Sequence, residues 1–372
     1  MPNMTRSLPK IISRSTTDFP KNIKGLTSLR FFAVLYVILF HYHFKFTPSV
    51  DLIISKGYLA VDFFFILSGF ILTHCYFEAL QNKTFSYRGF LIRRIARIYP
   101  VHLFTLALML LCFGVYFLGH FPLLENKPTL SDLIQNIFLV HSWGLASDLS
   151  YNRYSWTISA ELFAYVLFPV LLLTLNKIKP VGIALALSVV LYCALWMAAP
   201  SFWSLPLSKM SVFGLPRIFP EFIMGIALYL FSLLYKLNWH GQTFLAVCLV
   251  VMGLGLLMHW GDWIAIPAFA LIILATAEQS RAGKQGFLYR DSSEYLGEIS
   301  YSLYMIQYPY FFIFDLVLKQ ALGHEETSRI WGYGWSISPM ILILLAMACH
   351  KYIETPARVW TIKRLSDPAG TK

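Results

Sequence analysis

Leu26-Thr-Ser-Leu-Arg30-Phe-Phe-Ala-Val-Leu-Tyr-Val-Ile-Leu-Phe-His41-Tyr42 is a membrane-length apolar run that carries two ionisable side chains with ten residues between them. On an α-helix, eleven steps of about 100° return to nearly the same face, so Arg30 and His41 point the same way, about 16 Å apart along the axis. Charged and titratable groups inside a bilayer are costly, and they face a bundle interior or a water-filled cavity. The plainer alternative is that each side chain snorkels to its own interface. Two such groups on one stripe favour a shared site, and the rest of the chain reads as building that site around this helix.

Working outward, the 372 residues are 57% hydrophobic, 17% aromatic and only 13% charged. That is too apolar for a soluble domain, and the apolar residues fall in membrane-length runs. Ten spans are expected, at 26–46, 58–77, 99–119, 157–175, 181–199, 214–235, 242–259, 262–279, 298–318 and 332–352. The net charge of +11 does not point to nucleic acid, because the basic residues sit in short loops between apolar runs. Alternate loops and the two tails hold 21 of the 30 lysines and arginines. By the positive-inside rule this places both termini in the cytoplasm, which an even number of spans satisfies. The fold expected is therefore an all-α integral membrane protein, a bundle of about ten transmembrane helices with both termini cytoplasmic. Residues 1–24 and 359–372 form the tails and 25–358 the transmembrane domain.

The first 24 residues lack an apolar run with a cleavage site, so a removable signal peptide is not expected. The five cysteines are scattered through apolar segments and read as buried hydrophobes rather than disulfides or metal ligands. No histidine spacing points to a metal. Between the third and fourth spans, Leu133-Ile-Gln-Asn-Ile-Phe-Leu-Val140 is too short to cross and reads as a helix at the interface or over a cavity. Tryptophans 143, 156, 203, 260, 331 and 335 lie near expected outer edges, as an interfacial belt or, for one or two of them, as sugar-stacking platforms.

Four further groups carry chemical potential. Asp62, in the second span, stands in the outer half at a level comparable to His41 and requires a partner there. Ser68 and Gly69 follow near mid-membrane, where small residues admit either a neighbouring helix or a thin substrate. The cytoplasmic stretch Tyr87-Arg88-Gly-Phe-Leu-Ile-Arg93-Arg94-Ile-Ala-Arg97 sets Arg94 and Arg97 at i, i+3 and Arg93 and Arg97 at i, i+4. It reads as an interfacial helix, either anchored to anionic lipid heads or clamping a phosphate through bidentate guanidinium contacts. Glu161 lies just inside the outer half of the fourth span. His41, Asp62 and Glu161 are thus expected to converge near the outer face, where a histidine–carboxylate pair activates a hydroxyl, while Arg30 and the arginine cluster receive an anionic donor from within. Arg217 and Glu221, at i, i+4, read as an internal ion pair or as hydrogen-bonding groups for a sugar.

These pieces together resemble the acyltransferase-3 family, bacterial membrane O-acyltransferases that decorate cell-surface glycans. The matching motifs are Arg30-x10-His41, Val61-Asp62-Phe-Phe-Phe-Ile-Leu-Ser68-Gly69-Phe70, Arg94-Ile-Ala-Arg97-Ile-Tyr-Pro100, Ser155-Trp-Thr-Ile-Ser-Ala-Glu161, Leu296-Gly-Glu-Ile-Ser300-Tyr-Ser-Leu-Tyr304 and Tyr352-Ile-Glu354-Thr-Pro356. They run in family order over nearly the whole chain. The resemblance implies a multi-pass protein of the bacterial cytoplasmic membrane. It implies acyl transfer, usually acetyl from acetyl-CoA on the cytoplasmic side, to a sugar hydroxyl at the extracytoplasmic side. His41 matches the family's essential histidine, Arg30 its basic partner, and Arg94 with Arg97 the pair linked to donor binding. After Tyr304-Met-Ile the family often has a histidine where this chain has Gln307, so no proton-transfer role is expected there. The chain is expected to act through its membrane unit alone, with lipid and a carbohydrate acceptor as partners, and neither metal nor nucleic acid. The competing reading is a transporter or flippase of a lipid-linked glycan, whose intramembrane charges would line a route.

Overall fold

The structure, a computed structural model, describes residues 19–42, 48–118, 128–146, 148–236, 241–258, 261–318 and 329–366. Most of the two expected tails, and Trp260, lie outside the described residues. Fourteen α-helices follow one another among the described residues, with no strand. They are α1 (Lys24–Phe40), α2 (Pro48–Ile54), α3 (Ala60–Gln81), α4 (Tyr87–Leu118), α5 (Leu130–Ile137), α6 (Trp156–Lys177) and α7 (Val181–Trp203). Then come α8 (Leu215–Leu234), α9 (Gly241–Leu257), α10 (Ala265–Arg281), α11 (Asp291–Glu298), α12 (Ser300–Leu316), α13 (Arg329–Cys349) and α14 (Thr355–Ser366).

Seven helical segments are long and apolar enough to cross a membrane: Val50–Gln81, Tyr87–Val115, Arg153–Lys177, Val181–Trp203, Leu215–Leu234, Asp262–Arg281 and Trp335–Leu365. The other three expected spans appear as α1, α9 and α12, each of 17 residues. At 1.5 Å per residue their described lengths are about 25 Å. The all-helical fold is therefore observed among the described residues, with seven helical segments of membrane-crossing length.

The arginine stretch departs from expectation in a second way. Instead of a separate interfacial helix, Tyr87 to Leu118 form one helix of 32 residues with Pro100 inside it. A proline leaves one carbonyl unpaired, and neighbouring helices in a bundle let such a position stay helical. The short apolar patch after α4 is a helix as expected, beginning at Leu130. Thr129 caps it, its hydroxyl accepting from the Asp132 N–H while the Asp132 carboxylate accepts from the Thr129 N–H.

The centre of the bundle is α3, which packs along α8 and also touches α1, α6 and α10. Two glycines set the first contact. A Cβ on Gly69 would lie 2.1 Å from the Phe222 carbonyl oxygen, and one on Gly225 would lie 2.0 Å from that of Ile66. Backbones this close need small residues, as in other membrane helix pairs. Gly69 therefore faces α8, the neighbouring-helix role of the two that its small size allowed. The expected tryptophan belt is also incomplete. Trp335 is fully buried among Tyr42, Phe311 and Phe314, and Trp156 is buried beneath Arg217.

Candidate active site

α1, α3, α4, α6 and α12 enclose a cavity of about 310 Å³. One end is bounded by Lys21 and Asn22, before α1, and by His74 and Cys75 of α3. Arg30 projects into it from α1, and Arg94 and Arg97 from α4. Ser68, Glu161, Tyr165 and Tyr301 line its middle, and Thr157 and Tyr304 its other end. The i, i+3 spacing of Arg94 and Arg97 gives both the same face. Arg93, one step round the helix, is exposed and donates from Nε to the Tyr76 hydroxyl at 3.1 Å, outside the cavity. Ser68 reaches the cavity while Gly69, the next residue, does not, because neighbours on a helix point about 100° apart.

The electrostatics of this cavity are unequal. Among the described residues no carboxylate comes within salt-bridge distance of Arg30, Arg94 or Arg97. The Arg94 guanidinium lies 5.8 Å from the Tyr76 ring centre and 5.9 Å from that of Tyr165, and its buried Nε has no hydrogen-bond partner. Glu161 is the one carboxylate in the lining, and it accepts a hydrogen bond from the Ser68 hydroxyl. Three guanidinium groups against one engaged carboxylate form a wall suited to a multiply charged anion.

His41 is not part of the lining. It caps the end of α1, half-buried, with its ring 4.0 Å from that of Tyr154. Its Nδ1 stands 2.9 Å from the Val37 carbonyl oxygen. A carbonyl only accepts, so in the neutral ring Nδ1 carries the proton and Nε2 the lone pair. The helix backbone thus helps to orient His41. One layer of residues separates it from the cavity. The Tyr304 hydroxyl donates to the Tyr154 carbonyl at 2.9 Å and accepts from Thr157 Oγ1 at 3.1 Å.

The expected trio of His41, Asp62 and Glu161 is not assembled by these bonds. Asp62 is fully buried and accepts from Arg217 Nε at 2.6 Å, and Arg217 Nη2 also donates to the Tyr58 carbonyl at 2.9 Å. Glu221 is fully buried one turn along α8 from Arg217, and its Oε2 has no hydrogen-bond partner among the described residues. Arg217 thus pairs with Asp62 rather than with Glu221, a partner that the sequence pattern did not display.

Sequence reasoning passed over Tyr165, Tyr301 and Tyr304. Their signal was present: 161 and 165 are i, i+4, and 301 and 304 are i, i+3, each on one helical face. It also set aside His102 and His141, which are buried together on parallel rings 6.4 Å apart. His141 Nε2 lies 3.1 Å from the Ser155 hydroxyl, and burial, with His102 alongside, pushes its pKa down to about 3. His141 is therefore a neutral packing element beside the site.

Comparison with known proteins agrees with the motifs. Residues 23–349 match the acyltransferase domain of the acyltransferase-3 family. The chain is similar to the O-acetyltransferase OatA of Staphylococcus aureus, at 25% identity over 366 residues that cover 91% of this chain and 58% of OatA. It is similar to the putative peptidoglycan O-acetyltransferase YrhL of Bacillus subtilis, at 24% identity over 380 residues, 94% of this chain and 57% of that protein. An uncharacterized protein of Haemophilus influenzae is 26% identical over 243 residues, 59% of this chain and 99% of its own length. The chain spans under three fifths of the length of OatA and YrhL. No solved structure matches it.

Proposed function

The chain belongs to the acyltransferase-3 family, and from that premise we propose that it moves an acyl group, acetyl from acetyl-CoA, to a hydroxyl of a cell-surface or lipid-linked carbohydrate. The observation that carries this reading is the cavity ringed by Arg30, Arg94 and Arg97, none of which is ion-paired among the described residues. A CoA donor presents phosphates to such a wall and an uncharged pantetheine arm to the rest. The names of OatA and YrhL support acetyl as the group, and that of YrhL supports peptidoglycan as an acceptor class.

In this reading ten helices cross the bacterial cytoplasmic membrane, α1, α9 and α12 among them, with both termini and the α3–α4 loop in the cytoplasm. The basic residues of alternate loops support that orientation. Cysteine substitutions at Lys83 and Asp148 should then react with an impermeant maleimide only from the inside and only from the outside, respectively. Labelling of position 83 in intact cells contradicts it.

The chemistry follows from the two levels along α1. Arg30 and the arginine pair hold the donor's phosphates deep in the cavity. Its thioester extends toward Thr157 and Tyr304, one residue layer from His41. For transfer that layer shifts, and His41 Nε2 handles the proton of the acceptor hydroxyl, a poor nucleophile at neutral pH. The C–O ester bond forms, the C–S bond breaks, and CoA leaves as the thiol. Glu161, fixed by Ser68, and Asp62, committed to Arg217, hold the walls of the site rather than the imidazole.

Replacing Arg94 and Arg97 together by alanine should weaken CoA binding without unfolding the bundle. Hydrogen bonds to charged groups contribute about 1.5–3 kcal/mol each, so affinity should fall at least about tenfold per contact. Calorimetry on the detergent-purified double variant checks this, and unchanged CoA affinity returns the arginines to lipid anchoring.

A further inference from the structure

The segment Phe19–Ile23 runs across the inner end of the cavity, and residues 19–22 lie before the stretch matched to the family. It is fastened there by its first aromatic residue. Phe19 is buried, edge-on to Phe70 at 6.4 Å and beside Tyr229 at 6.0 Å. The Arg281 guanidinium lies 3.7 Å from its ring centre, itself held by Glu278 at 3.0 Å and by the Ser232 carbonyl at 2.8 Å. His74 Nε2 lies 3.3 Å from the Lys21 carbonyl and donates to it, fixing the strap two residues on. A cation over an aromatic face and a buried ring together resist peeling.

This anchoring places Lys21, exposed and with no ion-pair partner among the described residues, on the rim of the cavity that holds the arginines. Arg30 sits about 9 Å along α1 from Lys24, so Lys21 lies beyond the deep guanidinium wall on the inner side. A donor with one phosphate group has no use for a second cationic level. One with phosphates at both ends of a nucleotide does.

We propose that the strap carrying Lys21 is a second phosphate-binding level of the donor site, which recognises the terminal ribose phosphate of a nucleotide-bearing acyl donor. The assignment rests on the donor reading above and adds to it a means of selection. Lys21 distinguishes the intact nucleotide carrier from a bare phosphopantetheine arm, and Phe19, clamped by Arg281, is the positioning residue that keeps Lys21 on the rim.

The test uses the full chain in nanodiscs of neutral lipid and compares CoA, dephospho-CoA and 4′-phosphopantetheine as ligands. Lys21→Ala should weaken CoA binding by about fivefold, the upper range of an exposed ionic contact, and leave dephospho-CoA and phosphopantetheine unchanged. Phe19→Ala should reproduce that selective loss, and Lys21→Arg should restore CoA binding. Arg94→Ala should weaken all three ligands alike. If Lys21→Ala leaves the ratio of CoA to dephospho-CoA affinity as in the wild type, the assignment is overturned and Lys21 belongs to lipid headgroups. If the wild-type protein binds none of the three, the donor reading fails and takes this inference with it. If it binds all three equally, only the second level fails.

Discussion

His41→Ala protein should lose acyl transfer by a factor of about 10² to 10⁴, the usual cost of removing a general base, while CoA still binds. The two halves of this result come from separate places on α1. His41 lies outside the cavity lining, across the Tyr154–Tyr304 layer, whereas Arg30 lies within it. Arg30→Ala should therefore lower both donor affinity and turnover. His41→Gln is the sharper variant, because its amide can still donate to the Val37 carbonyl while offering no basic nitrogen in place of Nε2. The readout is labelled acetate transferred by membranes of matched protein content. Near wild-type transfer by His41→Gln, with intact folding, removes the histidine from the chemistry and reopens the transporter reading.

The second large effect is on stability. Arg217→Ala should leave Asp62 and Glu221 buried side by side without their counter-ion, and breaking a buried pair in this way costs about 3–5 kcal/mol. Because membrane bundles unfold irreversibly, the expected result is a large drop in the temperature at which the detergent-solubilised protein loses its monodisperse peak. Replacing Asp62, Arg217 and Glu221 together by leucine, methionine and leucine should recover most of that drop, since apolar residues of similar volume often substitute for a buried ionic cluster. If Arg217→Ala keeps its thermal stability but loses transfer, the cluster serves the acceptor sugar and not the α3–α8 contact.

Much of this architecture was legible because hydropathy has few meanings at membrane length. Every expected span corresponds to a helix, and the first of them carries Arg30 within α1 and His41 at its C-terminal cap. The arginine stretch read as an interfacial helix apart from the span at 99–119, yet the packed bundle carries one helix through both and through Pro100. The partner of Asp62 was hidden for a different reason. Arg217 is 155 residues away, and an i, i+4 neighbour such as Glu221 is the contact that sequence displays. Ser68 and Gly69 were read as a pair, but one step of helix sends them to different neighbours. The tyrosines of the cavity were lost in a background of 31 phenylalanines and 21 tyrosines. Their hydroxyls matter only once the polar groups opposite them are known.

The most direct test of acyl transfer is the alkali-labile ester content of the host's surface glycans, compared between the parent strain, a strain lacking this gene, and deletion strains carrying the wild-type or the His41→Gln chain. The account predicts that O-acetyl content falls in the deletion, returns with the wild-type chain, and does not return with His41→Gln. Ester content unchanged by the deletion, or restored in full by the His41→Gln chain, contradicts it.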